Sequence, residues 1–244
     1  MLYLIGLGIG DQNDISLRGL EIAKKADKIF IELYTSAWFG DLLILKRMIG
    51  KEIKELKRSD LEENIQNIID LAKNNDIVIF VPGDGLLATT HINLILEAKK
   101  RDIKYKILHN SSIFSFLGET GLHIYKFGKS ATIPFSDNLE NVKNVINQNK
   151  SINAHTLLLL DIDYEKKSFL SVGTAIKKLL DNKIIKADEK IIVCSRAGTE
   201  KQKMLFGMIN SISGYFTDED VPAIIIIPSE LHFTEKEYLN SISI

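Results

Sequence analysis

Unbroken apolar runs of four or five residues constrain this chain more than any other feature. Ile77-Val78-Ile79-Phe80, Leu157-Leu158-Leu159-Leu160 and Ala223-Ile224-Ile225-Ile226-Ile227 carry no polar residue in alternation. They are too short for buried helices, and they suit strands that bury both faces under helices. Ile77 to Phe80 leads into Val81-Pro82-Gly83-Asp84-Gly85-Leu86-Leu87, a turn-rich stretch with one carboxylate, and then into a helical pattern. Asp84 therefore stands just past the carboxyl end of a strand, the edge at which open α/β sheets bind ligands.

The rest of the chain can be ordered around that run. Leu2 to Leu7 reads as a strand, followed by a helix over Ile15 to Ala26 with Asp14 as its cap. Lys28 to Leu33 is a strand. Phe39 to Ile49 is a helix with Leu42, Leu43, Leu45 and Met48 inward, stopped by Gly50. A short strand over Glu52 to Leu56 precedes one helix running from a Ser59 or Asp60 cap to Ala72. A helix over Ile92 to Lys100 and a strand over Tyr105 to Leu108 follow the Asp84 loop. Strict strand-helix alternation implies a parallel sheet with helices on both faces. A second unit has strands at 129–134, 156–161, 191–195 and 223–227 and helices over 112–117, 139–149, 172–180 and 235–242. The expected fold class is α/β, with two α/β domains: a parallel sheet in the first (1–108), a mixed sheet in the second (109–244), and a ligand cleft between them.

The bulk composition excludes several classes. Thirty-one Lys and Arg against 32 Asp and Glu give a formal net charge of -1, so no global basic character supports nucleic-acid binding. A single cysteine, Cys194, allows neither an intrachain disulfide nor a cysteine-based zinc cluster. The amino terminus lacks a basic segment and reads as a first strand rather than a signal peptide, and no apolar stretch approaches the ~20 residues of a membrane span. A cytoplasmic location is expected.

Familiar motifs fail on spacing. Gly6-Leu7-Gly8-Ile9-Gly10 has Asp11 where a dinucleotide fingerprint needs its third glycine, although Glu32 could mimic the ribose-binding acid of that fold. Gly128-Lys129-Ser130 has His123 where a P-loop needs its earlier glycine. The five histidines show no metal-ligand spacing, and each reads as a hydrogen-bonded scaffold residue. Four strands end in ligand-type groups: Gly8-Ile9, Asp84, Asn110-Ser111-Ser112-Ile113 and Leu160-Asp161. On physical grounds alone, this is a two-domain α/β binder of a small polar molecule.

Longer strings carry a resemblance. Gly6-Leu7-Gly8 with Asp11 and Asp14-Ile15, Gly19 to Asp27, Tyr34-Thr35-Ser36, Pro82-Gly83-Asp84 with Ala88-Thr89-Thr90-His91, and His109 to Ile113 resemble the diphthine synthase family. So do Gly121 to Ser130 (the most specific stretch), Thr156 to Ile162, Arg196-Ala197-Gly198, and Leu231-His232 with Glu237-Tyr238-Leu239. The resemblance spans nearly the whole chain and places it in the tetrapyrrole methylase-like superfamily. It implies a homodimeric methyltransferase that uses S-adenosyl-L-methionine, releases S-adenosyl-L-homocysteine, and methylates the amino group of a modified histidine on translation elongation factor 2. By the same resemblance, the cofactor-binding positions are Ile9, Asp84, Leu87, Ser112 and Ile113 from the first domain and Leu160, Ala197 and Ala223 from the second. It names no catalytic base. Gly85 stands where relatives commonly carry proline, and Ala223 replaces a bulkier residue. The alternatives are a precorrin- or porphyrin-type methyltransferase on the same fold and a non-catalytic nucleotide-binding module. The Ile124 to Thr132 region favours a trimethylated product over one with an additional methyl ester.

Overall fold

Strands and helices alternate from the first residues of the computed structural model, which describes residues 1–163, 166 and 168–244. The chain divides into two units, Met1–Ser115 and Phe116–Ile244. In the first unit the order is β1 (Leu2–Gly6), α1 (Leu17–Lys25), β2 (Lys28–Glu32), α2 (Leu42–Ile49), β3 (Lys54–Leu56), α3 (Arg58–Glu62), α4 (Ile65–Ala72), β4 (Ile77–Val81), α5 (Ile92–Lys100) and β5 (Tyr105–Leu108). The short helix α6 (Ile113–Phe116) carries the division between the units.

The five strands form one sheet in the order β3-β2-β4-β1-β5, and every pairing is parallel. β4 lies inside this sheet with all five residues at 0% exposure, as expected for an apolar run covered on both faces. β1 and β4 are neighbours whose onward connections leave in opposite directions, β1 towards β2 and β4 towards β5. That is a topological switch point, the part of such a sheet's carboxyl edge at which ligands bind.

The second unit contains β6 (Ala131–Ile133), α7 (Glu140–Ser151), β7 (Thr156–Leu160), β8 (Ile162–Asp163), β9 (Ser168–Phe169), α8 (Val172–Asp181), β10 (Lys190–Ser195), β11 (Lys203–Met208), α9 (Ile209–Ile212), β12 (Ala223–Ile227) and α10 (Phe233–Ser241). Its main sheet runs β11-β10-β12-β7-β6. The β6–β7 pairing is parallel and the others antiparallel, so the sheet is mixed, as expected. One face packs on α7, α8 and α9 through Val142, Ile146, Val172, Ile176, Leu179 and Ile209.

Several expected elements change. Ser16, not Asp14, caps α1, its hydroxyl accepting from the Gly19 N–H, because the Asp14 carboxylate is already taken by the Gly10 N–H at 2.7 Å. α2 begins only at Leu42, capped by Asp41, and its buried positions are Leu45 and Ile49. Leu43 is 66% exposed because two residues along a helix turn a side chain to the far side. The single helix expected over 59–72 is two, α3 and α4, parted where the Glu63 and Asn64 N–H groups and the Asn64 side chain all close on the Ser59 carbonyl. The sequence reading missed β11 altogether. It is an edge strand containing Gly207 and two methionines, and it lacks both the alternation and the unbroken apolar run that mark a strand.

Candidate functional site

In the first unit, three strand-end loops are tied together at the switch point. Past β1, the Gly8 N–H donates to the Gly83 carbonyl at 3.1 Å and the Gly83 N–H to the Gly8 carbonyl at 2.8 Å, joining the loops after β1 and β4. Gly8 has φ +83°, and a Cβ there would lie 2.5 Å from the Asp14 Cβ, so both conformation and space demand glycine. At Gly8 the stretch Gly6–Gly10 thus makes a close approach of backbone to backbone. Ile9, half-buried, projects from it.

Asp84 joins the second loop to the third. It is 3% exposed. Its Oδ1 accepts the Leu86 N–H at 3.0 Å, an Asx turn within its own loop. Its Oδ2 accepts the Asn110 N–H at 3.1 Å and lies 2.8 Å from His109 Nδ1. Asn110 in turn donates through Nδ2 to the carbonyls of Gly6 and Asp14, closing the ring of three loops. Leu87 stands out at 46% exposure, Ser112 is buried at the entry to α6, and Ile113 is half-buried. The fold thus brings Ile9, Asp84, Leu87, Ser112 and Ile113 to one edge of the first sheet.

Beside these loops lies a buried cluster that the sequence reading did not assemble. Glu32 ends β2 at 0% exposure. Its carboxylate accepts the backbone N–H groups of Tyr34 and Thr35 and the Thr35 hydroxyl. These partners leave it no role as a ribose-binding acid. His91, 2% exposed, holds Nε2 3.8 Å from Glu32 Oε1 and 3.4 Å from the Tyr34 hydroxyl. Its Nδ1 donates to the Gly85 carbonyl at 3.1 Å, which also accepts the Thr89 hydroxyl. Burial pushes the Glu32 carboxyl up to about 7 despite the hydrogen bonds from Thr35 and Tyr34 and the Arg58 charge, and burial pulls His91 down. Both shifts favour the uncharged forms, and His91 clamps the turn that carries Asp84 through its bond to the Gly85 carbonyl. Glu32 and His91 are 59 positions apart, and only the β2–β4 pairing makes them neighbours.

In the second unit, the remaining expected positions also share an edge. β7 and β10 end there and β12 begins there, because β12 pairs antiparallel with both. Ser195 of β10 pairs with Ala223 of β12, and Ile224 pairs with Leu159, so Leu160 follows one step along the same edge. Leu160 and Ala223 are buried, and Ala197 is half-buried in the turn after β10. Asp161 is consumed locally: its carboxylate accepts the N–H groups of Phe135 and Ile162.

The stretch Gly121 to Ser130 is pinned by Glu235, a 0% exposed residue in the first turn of α10. Its carboxylate accepts the N–H groups of His123 and His232, each at 2.7 Å, and bonds Lys126 Nζ at 2.9 Å and His155 Nε2 at 3.0 Å. Burial alone would raise this carboxyl, but these donors outweigh it and hold the group down at about 2. Tyr125 in the same stretch is fully exposed. Each of the five histidines makes a hydrogen bond within its own unit, the scaffold role expected of them.

Residues 1–212 match the family model of the Tetrapyrrole (Corrin/Porphyrin) Methylases. The chain is 41% identical to diphthine synthase of Methanocaldococcus jannaschii, with 98% of this chain and 97% of that protein covered. It is 37% identical to diphthine synthase of Archaeoglobus fulgidus, over 98% of this chain and 94% of the other. A crystal structure of diphthine synthase superimposes with a TM-score of 0.92 at 36% identity, covering 99% of this chain and 95% of that one.

Proposed function

The chain belongs to the tetrapyrrole methylases and, within them, to the diphthine synthases, and from that premise we propose that it methylates the modified histidine of translation elongation factor 2. It is a methyltransferase of diphthamide biosynthesis. On this reading S-adenosyl-L-methionine is the methyl donor and the substrate's amino group is the acceptor. The enzyme works in the cytoplasm as a homodimer. No helix among the described residues is long and apolar enough to cross a membrane.

One observation carries the reading on the side of geometry: the ring of loops at the β1–β4 switch point, closed by the Gly8–Gly83 pair, Asp84 and Asn110. The residues present fit the donor. In the first unit, backbone groups with Ile9, Leu87 and Ile113 suit the apolar parts of such a donor while the few polar groups can fix orientation; in the second, the edge of Leu160, Ala197 and Ala223 has the same apolar character. Asp84 serves mainly through its arrangement of the loops, since three protein donors already meet its two oxygens.

S-adenosyl-L-methionine supplies a methyl group on a sulfonium, which is already an activated leaving group. The protein's work is therefore to bind, orient and exclude water. Ile9, Leu87 and Ile113 provide apolar walls. Ser112, 4% exposed, fixes the first turn of α6 by accepting the Phe114 N–H. The acceptor amine must be neutral to attack, and it can lose its proton to water, so no dedicated base is required.

The decisive experiment incubates the protein with labelled methyl donor and elongation factor 2 bearing the unmethylated intermediate. Label should appear on the factor, and its mass should show three added methyl groups. Label that stays off the factor rejects this substrate. Asp84→Ala should weaken binding of S-adenosyl-L-homocysteine by at least about tenfold, as the loss of a charge-assisted anchor between loops requires. Sedimentation at micromolar concentration should give twice the chain mass.

A further inference from the structure

The described residues hold three buried side-chain polar atoms without a hydrogen-bond partner: Trp38 Nε1, Gln66 Oε1 and Ser195 Oγ. Trp38 and Gln66 are each only half-buried as residues, but Ser195 is 1% exposed. Native folds leave few such groups orphaned, because an unpaired buried hydroxyl costs free energy that a partner would recover. Polar groups next to it along the chain are engaged elsewhere. The Arg196 N–H goes to the Pro222 carbonyl at 2.9 Å, and the Thr199 hydroxyl goes to the Arg196 carbonyl at 2.8 Å. The Ser195 carbonyl itself takes the Cys194 thiol.

We propose that the Ser195 hydroxyl is a further binding group for the methyl donor, hydrogen-bonding its adenosine portion. The proposal rests on the cofactor reading above and extends it to a residue that the resemblance did not supply. Ser195 is the last residue of β10, directly opposite Ala223 and two positions before Ala197. It therefore stands in the row that Ala223 and Leu160 form along the edge of the second sheet. It is also the only hydroxyl in that row. Leu160, Ala197 and Ala223 offer an apolar surface suited to a flat base, but they offer no side-chain polarity to orient it. A hydroxyl both donates and accepts, so it can meet a ring nitrogen, an exocyclic amine or a ribose hydroxyl.

Calorimetry on the full-length protein tests this with two ligands, S-adenosyl-L-homocysteine and methylthioadenosine, which keeps the adenosine portion and lacks the amino-acid end. Wild type is measured first: absence of S-adenosyl-L-homocysteine binding would overturn the cofactor reading and the proposal with it. Where wild type binds, Ser195→Ala should weaken both ligands by about tenfold, the usual worth of one hydrogen bond. The unliganded variant should melt no lower than wild type, since alanine removes an unpaired hydroxyl, and this separates a binding role from a structural one. Affinities within twofold of wild type overturn the proposal. So does a loss confined to S-adenosyl-L-homocysteine, which would place the contact outside the adenosine portion. Should Ser195→Ala fail to fold, Ser195→Cys, similar in shape but a weak hydrogen-bonding group, carries the same comparison.

Discussion

Glu32→Gln should change the way stability depends on pH, and by an amount the structure sets. Glu32 is wholly buried, and burial raises its carboxyl from the ordinary 4.5 to about 7. Below 4.5 the carboxyl is protonated in both folded and unfolded chains, and its burial costs nothing electrostatic. As pH rises through 4.5 the unfolded chain releases its proton while the folded chain retains it. Above about 7 the folded chain carries a buried anion. Stability conferred by the bound proton is thus present at low pH and lost as pH rises towards the folded value. At about 1.4 kcal/mol per pH unit, the full interval corresponds to roughly 3 kcal/mol, most of which falls between pH 5 and pH 8. Arg58, stacked on the Tyr34 ring, is the charge that opposes this rise, and His91 lies 3.8 Å from the carboxyl. Glutamine keeps an acceptor for the Tyr34 and Thr35 N–H groups but cannot ionise, so any loss of hydrogen bonding is the same at every pH. Urea unfolding of both proteins at pH 5 and pH 8 should therefore show the variant gaining on wild type by about 2 kcal/mol over that range. Parallel profiles, within about 0.5 kcal/mol, would mean that Glu32 titrates as an ordinary carboxyl.

Two further perturbations probe the same framework. Gly8→Ala should cost about 1–3 kcal/mol, because it combines a positive φ with a Cβ 2.5 Å from Asp14, and S-adenosyl-L-homocysteine binding should fall with it; thermal melting and calorimetry check both. Glu235→Ala strips the charged hub from His123, Lys126, His155 and His232, and should destabilise by about 3 kcal/mol or more at pH 7 by leaving a lysine without its counter-charge and several N–H groups unpaired. Its wild-type contribution is present above 4.5 and lost as pH falls towards about 2, so the wild-type advantage should shrink in urea unfolding near pH 3.

The sequence by itself determined the α/β class, the parallel first sheet and the strand-end position of Asp84. Those properties are written in unbroken apolar runs and in glycines placed where the chain must turn, and both are local signals. Family membership was legible for a similar reason, since strings such as Gly121 to Ser130 are long enough to be specific. Tertiary structure alone decided which groups meet. The pairing of Glu32 with His91 follows from strand order, because β4 inserts between β2 and β1 although β3 intervenes in sequence. The binding of Asp84 by His109 and Asn110 depends on β5 lying beside β1. The orphan hydroxyl of Ser195 is invisible to any pattern, since the lack of a partner is a property of everything packed around it. Local periodicity fixes which residues are strand or helix. Burial and hydrogen bonding between residues tens of positions apart are settled only when the sheet closes, and at this site they turn a turn-forming aspartate into the knot of three loops.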